Sequence, residues 1–267
     1  MEAAKSNSAE LKGLLTPDLF AKVRRVWFSH ILDDDHIFVP SQEDALQWFS
    51  RSDVFDGICR PELMVSTSRA EFGSTLTILD RLDSTGDEIF AGAKLVSVLD
   101  WMSLVILLDQ IPRNCFRDDE AGIAYKRFDE RALSVALKAI QLRIPEDPVI
   151  RYRQTYRFWF YMPLEHSESM KMQNMLFLEH RRMFGDSLCL LFGMAAETDE
   201  DAQAVQVAKE VLGRRKAVLE SWISTLSRIA SEPREVLRRC GRYPHRNGPL
   251  NRVSTKEEVE YLRSRET

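Results

Sequence analysis

Residues 89–109 read IFAGAKLVSVLDWMSLVILLD, the most apolar stretch of the chain. On a helical projection the apolar residues of this stretch fall on every side, which is typical of a helix buried over most of its surface. Its longest unbroken apolar run, residues 104–108, is far shorter than the roughly 20 residues that cross a bilayer. We therefore expect a central core helix in a globular protein, ended by Pro112.

The segments on either side of this stretch have helical rather than strand periodicity. Thr16 and Pro17 offer an N-cap hydroxyl and a first-turn proline, and Thr255 with Glu258 matches a capping box. Further helices are predicted over residues 69–82, 163–185 and 197–231, and a loop over residues 57–68. Because alternating runs are missing, we predict an all-α protein of stacked antiparallel helix pairs.

Composition limits the class of protein. The 267 residues are 44% hydrophobic and 29% charged, which argues against global disorder. The four cysteines form no CxxC pair, so we expect neither a disulfide framework nor a structural zinc site, and no cofactor. The first 15 residues lack the apolar region of a secretory signal and are predicted to be flexible. We expect a cytoplasmic protein with one domain over residues 16–267 and no membrane segment.

Charge is distributed unevenly along the chain. The formal net charge is −4, yet residues 205–252 hold eleven Lys and Arg against four Glu, a net +7 that leaves −11 for the rest. One interpretation is the solvated face of a long helix. The other is a surface that attracts a polyanion through its local potential.

Three polar clusters interrupt the predicted helices. The first, residues 109–117 (DQIPRNCFR), puts an acid and two arginines at the end of the most apolar helix. The second, residues 161–168 (YMPLEHSE), puts Glu165, His166, Ser167 and Glu168 in the first turns of a helix that begins at Pro163. The third, residues 241–255 (GRYPHRNGPLNRVST), is a loop rich in Arg, His and Asn before a capped helix.

Each cluster has a structural and a functional interpretation. Asp109 can form a helix-ending ion pair with Arg113, or line a pocket. His166 can be a buried residue at a capped helix start, or a base flanked by carboxylates, with Gln173 two turns along the same face. The loop can dock on helix ends, or bind phosphate or carboxylate through its arginines. No P-loop, GxGxxG, GxSxG or metal-spaced His/Cys motif is present, so no metal site is expected.

Taken together and in this order, the clusters resemble the motifs of DUF924, a family of helical proteins of unknown function whose fold is described as TPR-like. The matching stretches are LLDQIPRNCFR (residues 107–117), YMPLEHSE (residues 161–168) with Gln173, and GRYPHRN with the following Arg and Ser-Thr (residues 241–255). The similarity extends from about Val23 to the end. Asn251 departs from the family pattern, which usually has glycine before the arginine. The resemblance implies a TPR-like stack of helices.

Some fungal proteins that resemble this family are arginine-containing cyclodipeptide synthases. These enzymes condense arginine from arginyl-tRNA with a second aminoacyl-tRNA to form a diketopiperazine. For this chain the resemblance implies aminoacyl-tRNA partners, with no DNA and no membrane. The implied catalytic residues are His166, Ser167, Glu168 and Tyr161. The implied substrate-binding residues are Asp109, Arg113, Glu165, Gln173, Arg246 and Asn247. The implied tRNA-binding residues are Arg214, Arg215, Lys216, Arg238 and Arg239.

Within this scheme, carboxylates bind the guanidinium of the substrate, Ser167 activated by His166 accepts the aminoacyl group, and Tyr161 relays a proton. Two other functions stay open. A helical binding module can hold an acidic peptide or a small ligand in a groove lined by Arg113, His166 and Arg246. A hydrolase using His166 and Glu168 is less favoured, because no oxyanion-hole motif is found.

Overall fold

The structure, a computed structural model, describes residues 2–49, 62–194 and 202–264. Within these ranges the regular elements are helices and no strand occurs, so the all-α prediction is confirmed. TPR-like stacking stays a prediction. The α-helices are α1 (Glu2–Leu14), α2 (Pro17–Trp27), α3 (Asp35–Phe38), α4 (Gln42–Trp48), α5 (Glu62–Leu82), α6 (Gly86–Gly92), α7 (Val98–Cys115), α8 (Ala121–Ile123), α9 (Asp129–Gln141), α10 (Gln154–Arg157), α11 (Met162–His166), α12 (Met170–Leu191), α13 (Ala202–Arg214), α14 (Lys216–Cys240) and α15 (Lys256–Arg263). Among the described helices, none has the length and apolar character needed to cross a membrane.

Short turns of other helical types connect these elements. Single 3-10 turns lie at Asp118–Glu120, Ile144–Glu146, Phe158–Tyr161 and Pro244–Arg246. A π-helical turn, Ala124–Phe128, leads into α9. Turns of this wider type are rare and often occur near functional sites.

Helix α7 forms the centre of the molecule. Every residue from Asp100 to Cys115 is buried, and α2, α5 and α9 pack against the helix. One large hydrophobic core surrounds it, and a small second cluster of Val236, Leu237 and Tyr243 lies under the C-terminal loop. The predicted central helix is therefore present, and its polar end lies inside the protein.

The bounds of this helix differ from the prediction. The apolar stretch is divided between α6 and α7, because Thr85 and Ser97 each begin a helix with a complete capping box. Pro112 does not end α7, which continues to Cys115 and closes with a 2.7 Å hydrogen bond from Phe116 N to Pro112 O. A proline inside a helix removes one N–H donor, and here the surrounding core holds the helix together.

Two other predicted helices are also divided. The helix predicted from Pro163 ends at His166, Ser167 has extended backbone angles, and α12 begins only at Met170. In place of the single helix predicted over residues 197–231, the structure has α13 followed by α14. Helix α14 runs past Pro233 to Cys240, and the next residue, Gly241, has a left-handed φ of 71°. Residues 197–201 lie outside the described residues. Of the predicted loop, residues 57–61 lie outside them and residues 62–68 belong to α5.

The terminal caps agree with the prediction, whereas the N-terminal stretch contains a helix. Thr16 accepts a hydrogen bond from Leu19 N, and Thr255 with Glu258 forms the predicted capping box. The stretch expected to be a flexible N-terminus holds α1, and Leu11 of this helix is buried in the core. An apolar residue at that position makes the helix amphipathic and gives it a surface to pack.

Candidate functional site

The first two polar clusters meet inside the protein. Asp109 lies on α7 with no exposed surface, and His166 is the last residue of α11. His166 Nδ1 lies 2.8 Å from Asp109 Oδ1. A carboxylate acceptor requires the proton on Nδ1, so the neutral ring keeps its basic lone pair on Nε2. The pair therefore has the arrangement in which a carboxylate orients a histidine as a proton acceptor.

Asp109 is stabilised as an anion. Burial alone would raise its pKa, but the charges of His166 and Arg113, with hydrogen bonds from His166 and Gln110, hold the pKa below its usual range. Arg113 Nη1 donates to the Asp109 backbone carbonyl at 2.6 Å and lies 3.5 Å from the carboxylate. The predicted Asp109–Arg113 ion pair is present, and Asp109 also holds His166.

The third cluster is linked to the first by Asp129, an acid outside the three motifs. Asp129, the first residue of α9, lies 2.8 Å from Arg113 Nη2 through Oδ1 and 3.0 Å from Arg246 Nη1 through Oδ2. Arg246 lies over the rings of Tyr125 and Tyr243, at 4.6 and 5.0 Å from their centroids. A chain of alternating charges therefore joins the end of α7 to the C-terminal loop.

Glu168 fastens the same loop to the second cluster. Arg252 Nη1 and Nη2 donate to the two Glu168 oxygens at 2.9 and 2.8 Å, and Tyr243 N donates to Oε1 at 2.7 Å. Burial would raise the pKa of Glu168, but these donors and the charge of Arg246 hold it below its usual range. The Glu168 carboxylate is thus already bound within the protein.

Gln173 holds the carbonyl end of α11. Its Nε2 lies 3.0 Å from the carbonyls of Leu164 and Glu165 and 3.1 Å from that of Ser167, in donating geometry. Tyr243 OH also donates to the Glu165 carbonyl, at 2.7 Å. The buried end of α11 therefore has partners for its carbonyls, as a helix end away from water requires.

The short length of α11 determines where the predicted residues of the second cluster lie. Glu165 and His166 are buried in its last turn, and Ser167 is half-buried in the extended residue after it. The backbone carbonyl of Ser167 accepts from Gln173. The placement of these four residues in the first turns of one long helix is wrong, because the chain leaves the helix at Ser167.

Tyr161 lies in a different cluster. Its hydroxyl accepts from Arg157 Nε at 3.0 Å, and its ring packs edge-on against His180. Burial raises the pKa of Tyr161 to about 12, against the opposing charge of Arg157. Arg157 in turn is paired with Asp186 at 2.6 Å. The Tyr161 hydroxyl is therefore engaged away from the Asp109–His166 pair.

The predicted tRNA-binding residues lie on the outside of α13 and α14, and acids accompany most of them. Arg214 is 2.9 Å from Asp35. On α14, Lys216 is 3.8 Å from Glu220 and Arg238 is 3.0 Å from Glu235, while Arg239 is 3.5 Å from Glu257 of α15. Arg215, between the two helices, is half-buried. The local positive potential is therefore weaker than the count of basic residues suggests.

Asn247 ties the C-terminal loop to α15. Its Nδ2 donates to Ser254 Oγ at 3.0 Å and to Glu258 Oε2 at 3.2 Å. Hydrogen bonding to Arg242, with further donors from Thr255 and Asn247, lowers the pKa of Glu258 to about 2 despite partial desolvation. The capping residue of α15 therefore also holds the loop that carries Arg246.

The sequence of the chain matches a known family. A family model described as "Bacterial protein of unknown function (DUF924)" matches residues 23–266. The chain belongs to the DUF924 family. No curated protein and no solved structure shows significant similarity to it. All three clusters fall inside the matched region, so the resemblance in their motifs is confirmed at the level of the family.

The three clusters thus meet in the structure. Asp129, which joins the first cluster to the third, cannot be recognised from the sequence. Asp129 lies in the run KRFDERAL, where an acid before an apolar helix is typical of an ordinary helix start. Tyr125, beneath Arg246, lies just before it. Arg252 was visible in the third motif, but nothing in the sequence pointed to its pairing with Glu168.

Two further observations limit the chemistry of the site. In the ranges that the structure describes, no group of three or more His, Cys, Asp or Glu side chains is placed to hold a metal ion. Burial raises the pKa of the Cys115 thiol, at the end of α7, to about 12. A thiol with so high a pKa is not a nucleophile at neutral pH. Within the three clusters, His166 is the histidine whose ring is oriented by a buried carboxylate.

Proposed function

We propose that this DUF924 protein is a tRNA-dependent cyclodipeptide synthase that condenses arginine from arginyl-tRNA with a second aminoacyl-tRNA to an arginine-containing diketopiperazine. One observation carries the proposal: the three motifs converge around a buried, carboxylate-oriented histidine, with His166 Nδ1 2.8 Å from Asp109 Oδ1. Core packing alone does not favour enclosing these charges, because burying an ion costs several kcal/mol.

The proposed chemistry needs a base. In each half-reaction an amine nitrogen attacks the carbonyl carbon of an aminoacyl ester, an amide bond forms, and the ester C–O bond to the tRNA ribose breaks. His166 accepts the proton that the attacking amine loses and returns it to the departing ribose oxygen. The second half-reaction closes the ring, and the two tRNAs leave with free hydroxyl ends. Asp109 stabilises the imidazolium that forms between the two transfers.

Two amide oxygens of the motifs have acceptor capacity for a ligand with many donors. The amide oxygens of Gln173 and Asn247 are buried and have no hydrogen-bond partner among the described residues. Glu165 is buried next to His166 in the chain. A guanidinium carries five N–H donors and pairs with a carboxylate through two of them. These three side chains are therefore the proposed contacts of the substrate arginine.

The roles of the other predicted residues are adjusted to their positions. Glu168 is bound to Arg252, so it holds the loop in place in this proposal and is not a ligand of the substrate. Ser167 is the proposed acyl acceptor of an alternative route: its hydroxyl attacks the first aminoacyl ester, the first tRNA leaves with a free hydroxyl, and the amine of the second aminoacyl-tRNA then attacks the seryl ester and releases the serine hydroxyl. Tyr161 has no role in the proposed reaction, because its hydroxyl accepts a hydrogen bond from Arg157.

Binding of tRNA is proposed for the outer face of α13 and α14. The acids that accompany Arg238 and Arg239 lie at exposed positions, and Asp35 beside Arg214 is half-buried. Ion pairs near the surface contribute little to stability. Phosphate oxygens can replace such carboxylates at small cost. The proposal therefore predicts binding that weakens steeply with salt.

Expression in a bacterial host and mass spectrometry of the medium test the proposal. We expect a new arginine-containing diketopiperazine from the native protein and none from Asp109→Asn or His166→Gln. His36→Gln is a matched control, because His36 Nδ1 pairs with Asp44 at 2.7 Å outside this site. Soluble, folded native protein that yields no such product, or a purified activity that survives ribonuclease, contradicts the proposal.

A second candidate is a helical module that binds a peptide. A groove of about 450 Å³ lies between α6 and α9, lined by Asp87 and by one face of α9 that includes Leu137 and Lys138. Arg113 and Arg246 are buried against Asp129, so an acidic peptide does not reach them. The groove carries Asp87 and Glu130 against Lys138 beside its leucines, which suits a peptide with apolar and basic side chains. Selection from a displayed peptide library, with loss of the selected peptide on Leu137→Glu and retention on Arg246→Gln, would favour this function.

A further inference from the structure

Asp129 holds two arginines at once. Its Oδ1 is 2.8 Å from Arg113 Nη2, its Oδ2 is 3.0 Å from Arg246 Nη1, and its side chain is 15% exposed. The Arg113 side chain is 1% exposed. An ion pair so shielded from water is much less screened by solvent than a pair at the surface. Asp129 therefore has a strong influence on where the Arg113 guanidinium rests.

Arg113 and His166 compete for one carboxylate. Asp109 is fully buried and faces both groups, with His166 Nδ1 at 2.8 Å and Arg113 Nη1 at 3.5 Å from the same Oδ1. Arginine binds a carboxylate best with two parallel hydrogen bonds, which would occupy both oxygens of Asp109. Instead, Arg113 donates to the Asp109 backbone carbonyl and its other nitrogen faces Asp129. Of these two groups, His166 therefore makes the shorter contact with Oδ1 of Asp109, while Oδ2 accepts a hydrogen bond from Gln110.

The local fold places Asp129 for this role. The π-helical turn Ala124–Phe128 ends at Asp129 and presents Tyr125 under both guanidiniums, 4.6 Å from Arg246 and 6.0 Å from Arg113. The aromatic ring supports the flat face of each cation. Arg246 in turn holds the second oxygen of Asp129, so the carboxylate cannot turn away from Arg113 without breaking that pair.

We propose that Asp129 is the positioning residue of the site: by holding Arg113 it keeps the Asp109 carboxylate bound to His166 and keeps the proton on Nδ1. This inference rests on the proposed function, because it takes His166 as the proton acceptor. Without Asp129, Arg113 moves onto Asp109 and the hydrogen bond from His166 weakens. The neutral ring then places its proton on Nε2 more often, and the Nε2 lone pair that serves as the base in the proposed function is lost.

Ring ¹⁵N chemical shifts of His166 test this inference without any activity. The 267-residue protein is labelled in the rings of its five histidines, and the His166 signals are assigned by their loss in His166→Gln. At a pH where the ring is neutral, we expect Nδ1 of the native protein in the range of a protonated nitrogen. In Asp129→Asn, its shift moves toward that of an unprotonated nitrogen. Asp129→Glu, which keeps the charge but moves it by one methylene, gives a smaller change in the same direction.

The matched control is Asp186→Asn. Asp186 also bridges two arginines, Arg151 at 3.0 Å and Arg157 at 2.6 Å, and its side chain is 16% exposed. We expect native His166 shifts in this variant. The double variant Asp129→Asn with Arg113→Gln removes the competing cation and restores the native Nδ1 shift. Unchanged His166 shifts in folded Asp129→Asn and Asp129→Glu overturn the inference.

Product formation gives a separate readout. If the native protein makes the diketopiperazine, Asp129→Asn lowers kcat on the order of 10- to 100-fold with little change in KM, because orientation of a general base is lost while binding groups stay. If no product forms in any variant but the ¹⁵N shifts change as expected, the proposed function falls and the role of Asp129 stands. If product forms equally in both proteins and the shifts do not change, the role of Asp129 falls alone.

Discussion

The contact between Glu168 and Arg252 decides how firmly the C-terminal loop is held over the site. The two side chains share two hydrogen bonds of 2.9 and 2.8 Å, and the Tyr243 N–H donates to the same carboxylate at 2.7 Å. Glu168→Gln keeps an acceptor for that N–H and removes the charge. Arg252→Gln removes the paired donors. The double variant completes a cycle from which the coupling energy of the pair follows.

The expected magnitude follows from burial and geometry. The Arg252 side chain is 29% exposed and that of Glu168 is 20% exposed, so the pair is neither at the surface nor in the core. Exposed pairs contribute up to about 1 kcal/mol and hydrogen bonds to buried charged groups about 1.5–3 kcal/mol. We expect a coupling energy of about 1–2 kcal/mol and a loss of about 2 kcal/mol for each single variant.

Urea unfolding of the four proteins at neutral pH measures this coupling, and its pH dependence gives a second check. The folded-state pKa of Glu168 is lowered, against burial, by Arg252, the Tyr243 N–H and Arg246. The contribution of the pair is therefore complete above the unfolded-state pKa and is lost as the pH falls through the folded-state pKa.

The exposed pair Arg228–Glu232, at 3.4 Å on α14, is the control and should show a much smaller coupling. A Glu168–Arg252 coupling below about 0.3 kcal/mol, or one that persists in acid, would refute the reasoning.

Three further predictions concern stability and use the same unfolding measurements. A Cβ on Gly122 would lie 2.3 Å from the Pro249 carbonyl oxygen, so Gly122→Ala should lower the free energy of unfolding by about 2 kcal/mol. Gly185 has open space at its Cβ, so Gly185→Ala should raise it by up to about 1 kcal/mol; equal effects would disprove the close approach at Gly122. Burial lowers the pKa of His180 from 6.5 to about 4, so the free energy of unfolding should fall by roughly 3 kcal/mol as the pH is lowered from 6.5 to 4. His180→Phe should remove this contribution; parallel pH profiles of the two proteins would contradict it. Asn251 has a left-handed φ of 55°, so Asn251→Gly should leave the free energy of unfolding nearly unchanged and Asn251→Ala should lower it by about 1 kcal/mol. A greater loss for glycine than for alanine would be incompatible with this backbone conformation.

Asn251 also explains the departure from the family pattern. Glycine adopts a left-handed conformation without a steric penalty, and asparagine is among the residues that tolerate it best. The loop geometry needed before Arg252 is therefore kept with a different side chain. At this position the structure requires a left-handed backbone conformation, which both glycine and asparagine can adopt.

The candidate site was predicted in part. From the sequence, Asp109 is a candidate because a charge at the end of an apolar helix needs a partner, and His166 is one because nearby carboxylates can orient its imidazole. Their direct contact spans 57 positions of the chain and depends on how α11 packs against α7. Asp129 is not predictable from the sequence, because its local sequence is that of a normal helix start. Its role depends on its pairing with Arg113 and Arg246, which are distant along the chain.

By itself, the sequence determined the features that depend on neighbours within a turn or two: helical periodicity, the caps at Thr16 and Thr255, and the burial of α7. Only the tertiary structure decided where the helix after Pro163 ends and which charge pairs with which. Caps and periodicity arise from contacts three or four residues apart, which the sequence displays directly. Pairing of Asp109, Asp129 and Arg246 arises from packing between separate elements, and many partners are equally compatible with the local sequence of each.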